Sequence, residues 1–295
     1  MNPINDCPVC GDSQNFTFLK SRNFRINEEK FDVKECNNCS MRFTSPLPSE
    51  EEIGEYYHAE NYVSHTGTKK GLTNKLFHFA RYFTLRSKFN LVNKYAKGEK
   101  MLDIGAGNGV FLDFVKEKNW EVSGIELDTN SRERIEKNLG QKIATTVHEN
   151  NESEHYDAIT MWHVLEHVYN LKKDIPAIKS KLKKDGVFIV AVPNCDSYDA
   201  EFYKEYWAAY DLPIHLYHFR PKNVKDLFEQ FDMEVIGMKP MKFDSFYIRL
   251  ISEKYNKKQQ GGLGVFIRGM WKGLTSNMKA KNGTYSSQIY ILKNK

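Results

Sequence analysis

The chain has 295 residues, enough for one large domain with an appendage, and 40% hydrophobic with 27% charged residues is the balance of a globular protein. Its longest purely apolar run, Val187-Phe188-Ile189-Val190-Ala191-Val192, is too short to cross a bilayer, and no basic stretch followed by an apolar one opens the chain, so a cytoplasmic protein without stable membrane insertion is expected. The net charge of +5 includes scattered lysine pairs (69–70, 172–173, 183–184 and 257–258), which read as solvated faces and leave room for an anionic small molecule or, as second choice, RNA.

Residues 1–45 contain Cys7-Pro8-Val9-Cys10-Gly11 and Cys36-Asn37-Asn38-Cys39. In a reducing compartment such cysteines serve as ligands rather than disulfides. Cys7, Cys10, Cys36 and Cys39 can supply a tetrahedral S4 set for Zn²⁺, with the Pro and Gly allowing a tight knuckle whose N–H groups face sulfur. Short strands are expected at 16–19 and 31–34 about a polar turn at 27–30. The segment resembles a zinc ribbon, and a piece so small needs the metal as its core. Protein fills all four positions, so the ion is read as structural; a redox dithiol is the weaker alternative. Cys195 is remote and reads as a small residue near a strand end.

Residues 46–98 form a connector and helical segment. A non-helical stretch at 43–48 leads to Ser49 as a helix N-cap with Glu50, Glu51 and Glu52 in the first turn. Tyr56, Tyr57 and Tyr62, with His58 and His65 nearby, read as a lid over the main domain. Leu72, Leu76, Phe79, Ala80 and Phe83 then recur at helical spacing, a stripe for core packing.

The rest, 99–295, is organised around Met101-Leu102-Asp103-Ile104-Gly105-Ala106-Gly107-Asn108-Gly109, where an apolar run reaches an acid, breaks into alternate glycines and resumes at helical spacing with Val110 and Phe111. This predicts strand, tight loop and helix. Glycine lets a ligand approach the backbone, and free N–H groups at a helix start suit an anion. A dinucleotide fingerprint would want glycine at position 110, which is Val110, whereas Asp103 suits a ligand carrying an ammonium group. The bland alternative makes Asp103 a helix cap and Glu126 a solvated strand end.

The stretch resembles the nucleotide-binding loop of class I S-adenosylmethionine-dependent methyltransferases. Glu126, ending the next apolar stretch 21 residues after Gly105, matches the acid that takes two ribose hydroxyls. The resemblance implies a cofactor site of Asp103, Gly105, Ala106, Gly107, Gly109, Glu126, Leu127, Met161, Trp162 and His163. Further strands are expected at 143–147, 156–161, 186–192, 233–238 and 286–292, with helices at 129–138, 171–184 and 221–231 and insertions at about 196–220 and 240–285. Alternation of this kind predicts an α/β fold, a Rossmann-like doubly wound, seven-stranded, mostly parallel sheet. That the last strand is reversed is implied by the resemblance.

After the fourth strand comes Trp162-His163-Val164-Leu165-Glu166-His167. Its H-x-x-E-H pattern is rejected as a peptidase zinc site, because it follows a strand end rather than lying mid-helix. Ubiquinone-pathway O-methyltransferases look similar here, with a Glu-x-x-Glu-His segment that binds a divalent ion. This chain has His163 at the first position, which argues against Mg²⁺. The loop over 206–219 is too aromatic for a linker and lies where ligands bind a parallel sheet; Trp207, Tyr210, His215 and His218 are its substrate-facing candidates. In the alternative, Trp207 and Phe219 are a lid core and His215 a structural histidine. As the base that helps a protonated acceptor, His167 and His215 come first, His163 and His218 second. A basic, Trp-containing stretch at 261–274 is read as a pocket cover or a membrane-surface helix weakened by glycines.

The expectation is therefore a methyltransferase with a zinc ribbon acting on a small molecule, preferably at oxygen. RNA methylation is the alternative within enzymes, weakened by the missing Asn/Asp-Pro-Pro-aromatic sequence. A non-catalytic cofactor-binding or protein-docking module is the alternative outside them.

Overall fold

The computed structural model describes residues 3–57, 72–242, 244–257 and 284–295, apart from the side chains of 72–80 and 257. The expectations at His58, Tyr62 and His65, for the side chains of Leu72, Leu76, Phe79 and Ala80, and at 261–274 lie outside the described residues.

The main sheet contains β4 (Lys100–Ile104), β5 (Glu121–Ile125), β6 (Tyr156–Trp162), β7 (Leu182–Pro193), β9 (Met233–Pro240) and β10 (Ser287–Asn294). Their spatial order is β5-β4-β6-β7-β10-β9. The β5, β4, β6 and β7 strands are parallel neighbours, and β10 runs antiparallel between β7 and β9. Strands buried on both faces read as continuous apolar runs, which is why 187–192 is uninterrupted. Alternate residues serve opposite layers. Leu102, Ile159, Phe188, Val190 and Leu292 share one cluster with Ile175 and Ile178 of α4 (Leu171–Lys181) and Val224 and Phe228 of α6 (Pro221–Glu229). Met101, Ala158, Ile189 and Ile291 pack with Val92 of α1 (Leu72–Tyr95), Leu112 of α2 (Val110–Lys116) and Ile135 of α3 (Thr129–Leu139).

Among the described residues six strands form this sheet, where seven were expected. The stretch at 143–147 contributes one parallel bridge, Ala144 with Ile125. The Thr145 N–H turns to the Glu149 carboxylate (2.9 Å) and the Glu149 N–H to the Thr146 carbonyl (3.2 Å), so a local turn takes groups a ladder would need. The predicted helix at Ser49 is likewise short: Ser49 and Glu52 cap each other reciprocally, but the turn they start covers only Ile53–Tyr56.

The N-terminal segment forms β1 (Asn15–Arg22), β2 (Lys30–Cys36) and β3 (Arg42–Ser45), the last in a stretch expected to be partly connector. Their antiparallel sheet is completed by β8 (Tyr217–His218), which comes from the aromatic loop. Met41 and Phe43 accordingly share a core cluster with Leu216, Tyr217 and Phe219. Two helices flank the later loops: α5 (Tyr198–Tyr203) and α7 (Asp244–Lys257), the latter inside the region expected as an insertion.

Candidate active site

Asp103, near the end of β4, is 3% exposed and accepts a hydrogen bond from the Thr160 hydroxyl on β6 (2.5 Å). Burial pushes its carboxyl up to about 6, against the pull of Thr160 and of the Lys88 ammonium. Lys88, on α1, places Nζ 4.4 Å from the Trp162 ring centroid. Burial lowers the Lys88 pKa, while Asp103 and Asp244 oppose that shift. Trp162 stands edge-on to Phe111 at 5.8 Å, and its indole N–H has no protein partner among the described residues. Met161 is buried in β6.

The glycine loop offers shape more than donors. The Gly105 and Ala106 N–H groups donate to the Ile125 carbonyl (2.8 and 3.1 Å), and the Gly107 N–H donates to Glu126 (2.6 Å). The loop thus uses the N–H groups of residues 105–107 to hold the end of β5. The other Glu126 oxygen accepts from the Asp128 N–H (2.9 Å), and Leu127 projects outward, 74% exposed. Gly105 has φ +68°, and a Cβ there would lie 2.4 Å from Val164 Cγ2. Gly109, at φ +71°, precedes α2 with Ile135 equally close to where its Cβ would be. Gly105→Ala is expected to cost about 1–3 kcal/mol in chemical denaturation, with partial recovery in Gly105→Ala/Val164→Ala.

The histidines that follow Trp162 in the chain have distinct environments. His163, held at φ +58°, lies between Glu166 (Nδ1 to Oε1, 3.3 Å) and Asp244 of α7 (Nε2 to Oδ2, 2.7 Å), and Asp244 also accepts from the Ser287 hydroxyl (2.6 Å). Burial alone would lower its pKa, but the two carboxylates raise it to about 10. Both ring nitrogens face carboxylates, an arrangement that favours the imidazolium and suits a base poorly.

His167, in the turn Leu165–His167, has Nδ1 2.9 Å from the Ile214 carbonyl and 3.0 Å from the Tyr57 hydroxyl. Burial and the adjacent His215 hold its pKa down to about 4. His215 has Nδ1 2.8 Å from the Ala209 carbonyl, and burial depresses it to about 4. The two rings meet edge to face at 4.7 Å.

His218, in contrast, belongs to the seam between the ribbon and the main sheet. Thr44 Oγ1 donates to the His215 carbonyl (2.6 Å), which leaves that hydroxyl to accept from His218 Nε2 (3.0 Å). Burial pushes the His218 pKa well down. Trp207 and Tyr210 are both 2% exposed and pack with Phe31, Val33, Tyr203 and Ile248. The structure thus corrects the substrate-facing assignment of Trp207, Tyr210 and His218: they form lid core and seam.

The four cysteines converge, with sulfurs 3.4 Å apart for Cys7 and Cys39 and 3.5 Å for Cys10 and Cys36, and all four within 4.8 Å of one another. A tetrahedron with bonds of about 2.3 Å has edges of about 3.8 Å, so the set fits Zn²⁺. The N–H groups of Val9 and Cys10 face Cys7, and that of Met41 faces Cys39. Burial raises the Cys7 thiol to about 11.

A family model described as a methyltransferase domain matches residues 76–237, more than half of the chain. The chain belongs to this methyltransferase family. The ubiquinone biosynthesis O-methyltransferase of Haemophilus ducreyi is 28% identical over 123 residues, 36% of this chain and 52% of that protein. The enzyme of the same name from Glaesserella parasuis is 31% identical over 109 residues, 33% of this chain and 46% of that protein. The chain spans about half the length of the curated relatives it matches. A S-adenosylmethionine-dependent methyltransferase from Archaeoglobus fulgidus superposes with a TM-score of 0.50 at 17% identity, covering 76% of this chain and 98% of that one. Coclaurine N-methyltransferase, solved with N-methylheliamine and S-adenosylhomocysteine, gives 0.51 at 17% identity over 84% and 80%. At such identities the likeness is one of fold, that of the class I methyltransferases.

Several residues of this methyltransferase site have no motif to announce them. Asp244 reaches His163 from 81 positions away, Thr160 meets Asp103 across the sheet, and Lys88 arrives from α1.

Proposed function

We propose that the protein transfers the methyl group of S-adenosylmethionine to an oxygen atom of a small-molecule acceptor. The observation that carries the reading is the pair of buried acids, Asp103 and Glu126, on either side of a loop packed too closely at Gly105 and Gly109 to admit a side chain. Asp103 would take the cofactor ammonium and Glu126 the ribose hydroxyls. Leu127 would cover the adenine, and Ala106 and Gly107 would border the methionine portion, with Met161, Trp162 and His163 beyond. When bound, the cofactor supplies an activated sulfonium methyl, so alignment does most of the catalytic work. The oxygen preference rests on the two ubiquinone biosynthesis O-methyltransferases that the chain resembles. A neutral imidazole with a free lone pair can accept the acceptor's proton, which suits His167 and His215 and excludes His163. Zn²⁺ held by Cys7, Cys10, Cys36 and Cys39 would be structural.

Calorimetry with S-adenosylmethionine and S-adenosylhomocysteine should show binding to both, and methyl-labelled cofactor incubated with metabolite extract should place label in the small-molecule fraction. Absence of binding would overturn the cofactor reading. Binding with no transferred label would favour the docking module, and label in RNA would replace the acceptor class.

A further inference from the structure

We propose that Asp244, on α7, is a further carboxylate of the cofactor site and selects the sulfonium form of the cofactor over its neutral thioether product, a role that rests on the cofactor reading of the proposed function.

The sheet fixes where Asp244 stands. Ser287, the first residue of β10, pairs with Pro193 at the end of β7, and Trp162 ends β6 opposite Ala191. Both lie at the carboxyl ends of the parallel strands, where open α/β sheets bind ligands. Asp244 is held over that edge by the Ser287 hydroxyl (2.6 Å) and His163 Nε2 (2.7 Å), and both reach the same oxygen, Oδ2. Among the described residues Oδ1 accepts no hydrogen bond, and the side chain is 24% exposed. The helix that carries it is tied down by its own contacts: Arg249 pairs with Asp199, the Tyr203 hydroxyl donates to Glu253 (2.8 Å) and the Ala208 N–H to Ser252 Oγ (2.9 Å). Asp244 is therefore positioned before any ligand arrives. It also lies beyond residue 237, where the matched domain ends.

A cation of the chain itself already feels this carboxylate. The Lys88 ammonium lies on the Trp162 ring, and Asp103 and Asp244 both favour its charged form. In the proposed reading Trp162 and His163 border the cofactor, whose sulfonium would enter the same field. Among the groups linked to these two residues, the carboxylates of Asp103, Glu166 and Asp244 outnumber the cations of Lys88 and His163 by one. S-adenosylmethionine carries a net positive charge and S-adenosylhomocysteine none, so the surplus matches the donor and not the product. At an effective dielectric of about 20 such an attraction persists over several ångströms. Asp244 acts by its charge and not as a base. Burial alone would raise its carboxyl, but His163, Ser287 and Lys88 hold it below the usual carboxylate range, so it takes up a proton poorly.

Calorimetric dissociation constants read the charge directly, because S-adenosylmethionine and S-adenosylhomocysteine differ only in the methyl group and its charge. In Asp244→Asn the side-chain carbonyl can still accept from Ser287, and the Kd of S-adenosylhomocysteine divided by that of S-adenosylmethionine is expected to fall by about fivefold to thirtyfold. Ser287→Ala, which loosens the side chain and keeps its charge, should leave that ratio within about twofold of the wild type. A ratio within about twofold of the wild type in Asp244→Asn would overturn the proposal, as would an equal fall in Ser287→Ala, which would make Asp244 a structural clamp. If Asp244→Asn does not fold, the wild type decides with sinefungin, which carries an ammonium in place of the sulfonium. Both cationic ligands are then expected to bind more tightly than S-adenosylhomocysteine, and a preference for S-adenosylhomocysteine over either overturns the role. Failure of the wild type to bind any of the three removes the cofactor reading and this role with it, whereas binding with an unchanged ratio removes the role alone.

Discussion

Asp103→Asn is expected to weaken S-adenosylmethionine binding by tenfold to about a hundredfold, the roughly 1.5–3 kcal/mol of a hydrogen bond to a charged group. The Thr160 hydroxyl can still donate to the asparagine carbonyl, so the variant should remain folded while losing the charge. The wild type carries a pH signature that a structural role would not produce. Burial raises the Asp103 carboxyl to about 6 in the ligand-free protein, and a cationic ligand favours the ionised form. Binding below about pH 6 must therefore release a proton, and affinity should fall up to tenfold per pH unit as the pH drops below 6. In Asp103→Asn that slope should vanish. The stability of the ligand-free protein runs the other way: the raised carboxyl is favourable while protonated, and its contribution is lost as pH rises from near 4 through about 6. Calorimetric titrations between pH 5 and 7.5 read both proteins; an unaltered slope in the variant removes Asp103 from the site.

Cys10→Ala is expected to destabilise the protein far more than its position on the surface suggests. Cys10 is exposed, and a surface truncation ordinarily changes stability by no more than about 0.5 kcal/mol. If it holds a structural ion, its loss removes part of the folding energy of the ribbon, and a deficit of about 3 kcal/mol would lower Tm by roughly 6–12 °C. The damage should reach the acceptor side first. Arg25 pairs with Asp211 (2.8 Å), the Ser21 hydroxyl donates to the Glu205 carbonyl (2.5 Å), and β3 pairs with β8, so the ribbon holds the loop that carries His215. The acceptor KM should rise by about tenfold while the cofactor Kd changes by less than about threefold. A surface-like effect on Tm would remove the metal from the ribbon, and equal losses in both constants would remove the preferential coupling to the acceptor loop.

The shape of the candidate cofactor loop was legible because its information is local. Asp103, Gly105 and Gly109 are close in the chain, and the steric demand on each glycine arises within one strand-loop-helix unit and the two side chains that close over it, Val164 and Ile135. The cysteine pairs were legible for the same reason, each lying in its own knuckle. Misreadings came where a local pattern was decided by a remote partner. The stretch at 143–147 is apolar enough for a strand, yet Glu149 captures its Thr145 N–H. Trp207 and Tyr210 look like a ligand wall in sequence, but Phe31 and Val33 of the ribbon strands cover them.

The sequence by itself determined the alternating α/β architecture, the acid-flanked glycine loop and the presence of two cysteine pairs, since each depends on residue spacing that the backbone enforces directly. Tertiary structure alone decided the chemistry of the histidines. Asp244 makes His163 a cation, burial keeps His167 and His215 neutral, and Thr44 claims His218. Charge state and hydrogen-bond role are set by neighbours through space, and the contacts concerned join positions as far apart as Tyr57 and His167, separated by 110 residues, or Thr44 and His215, separated by 171.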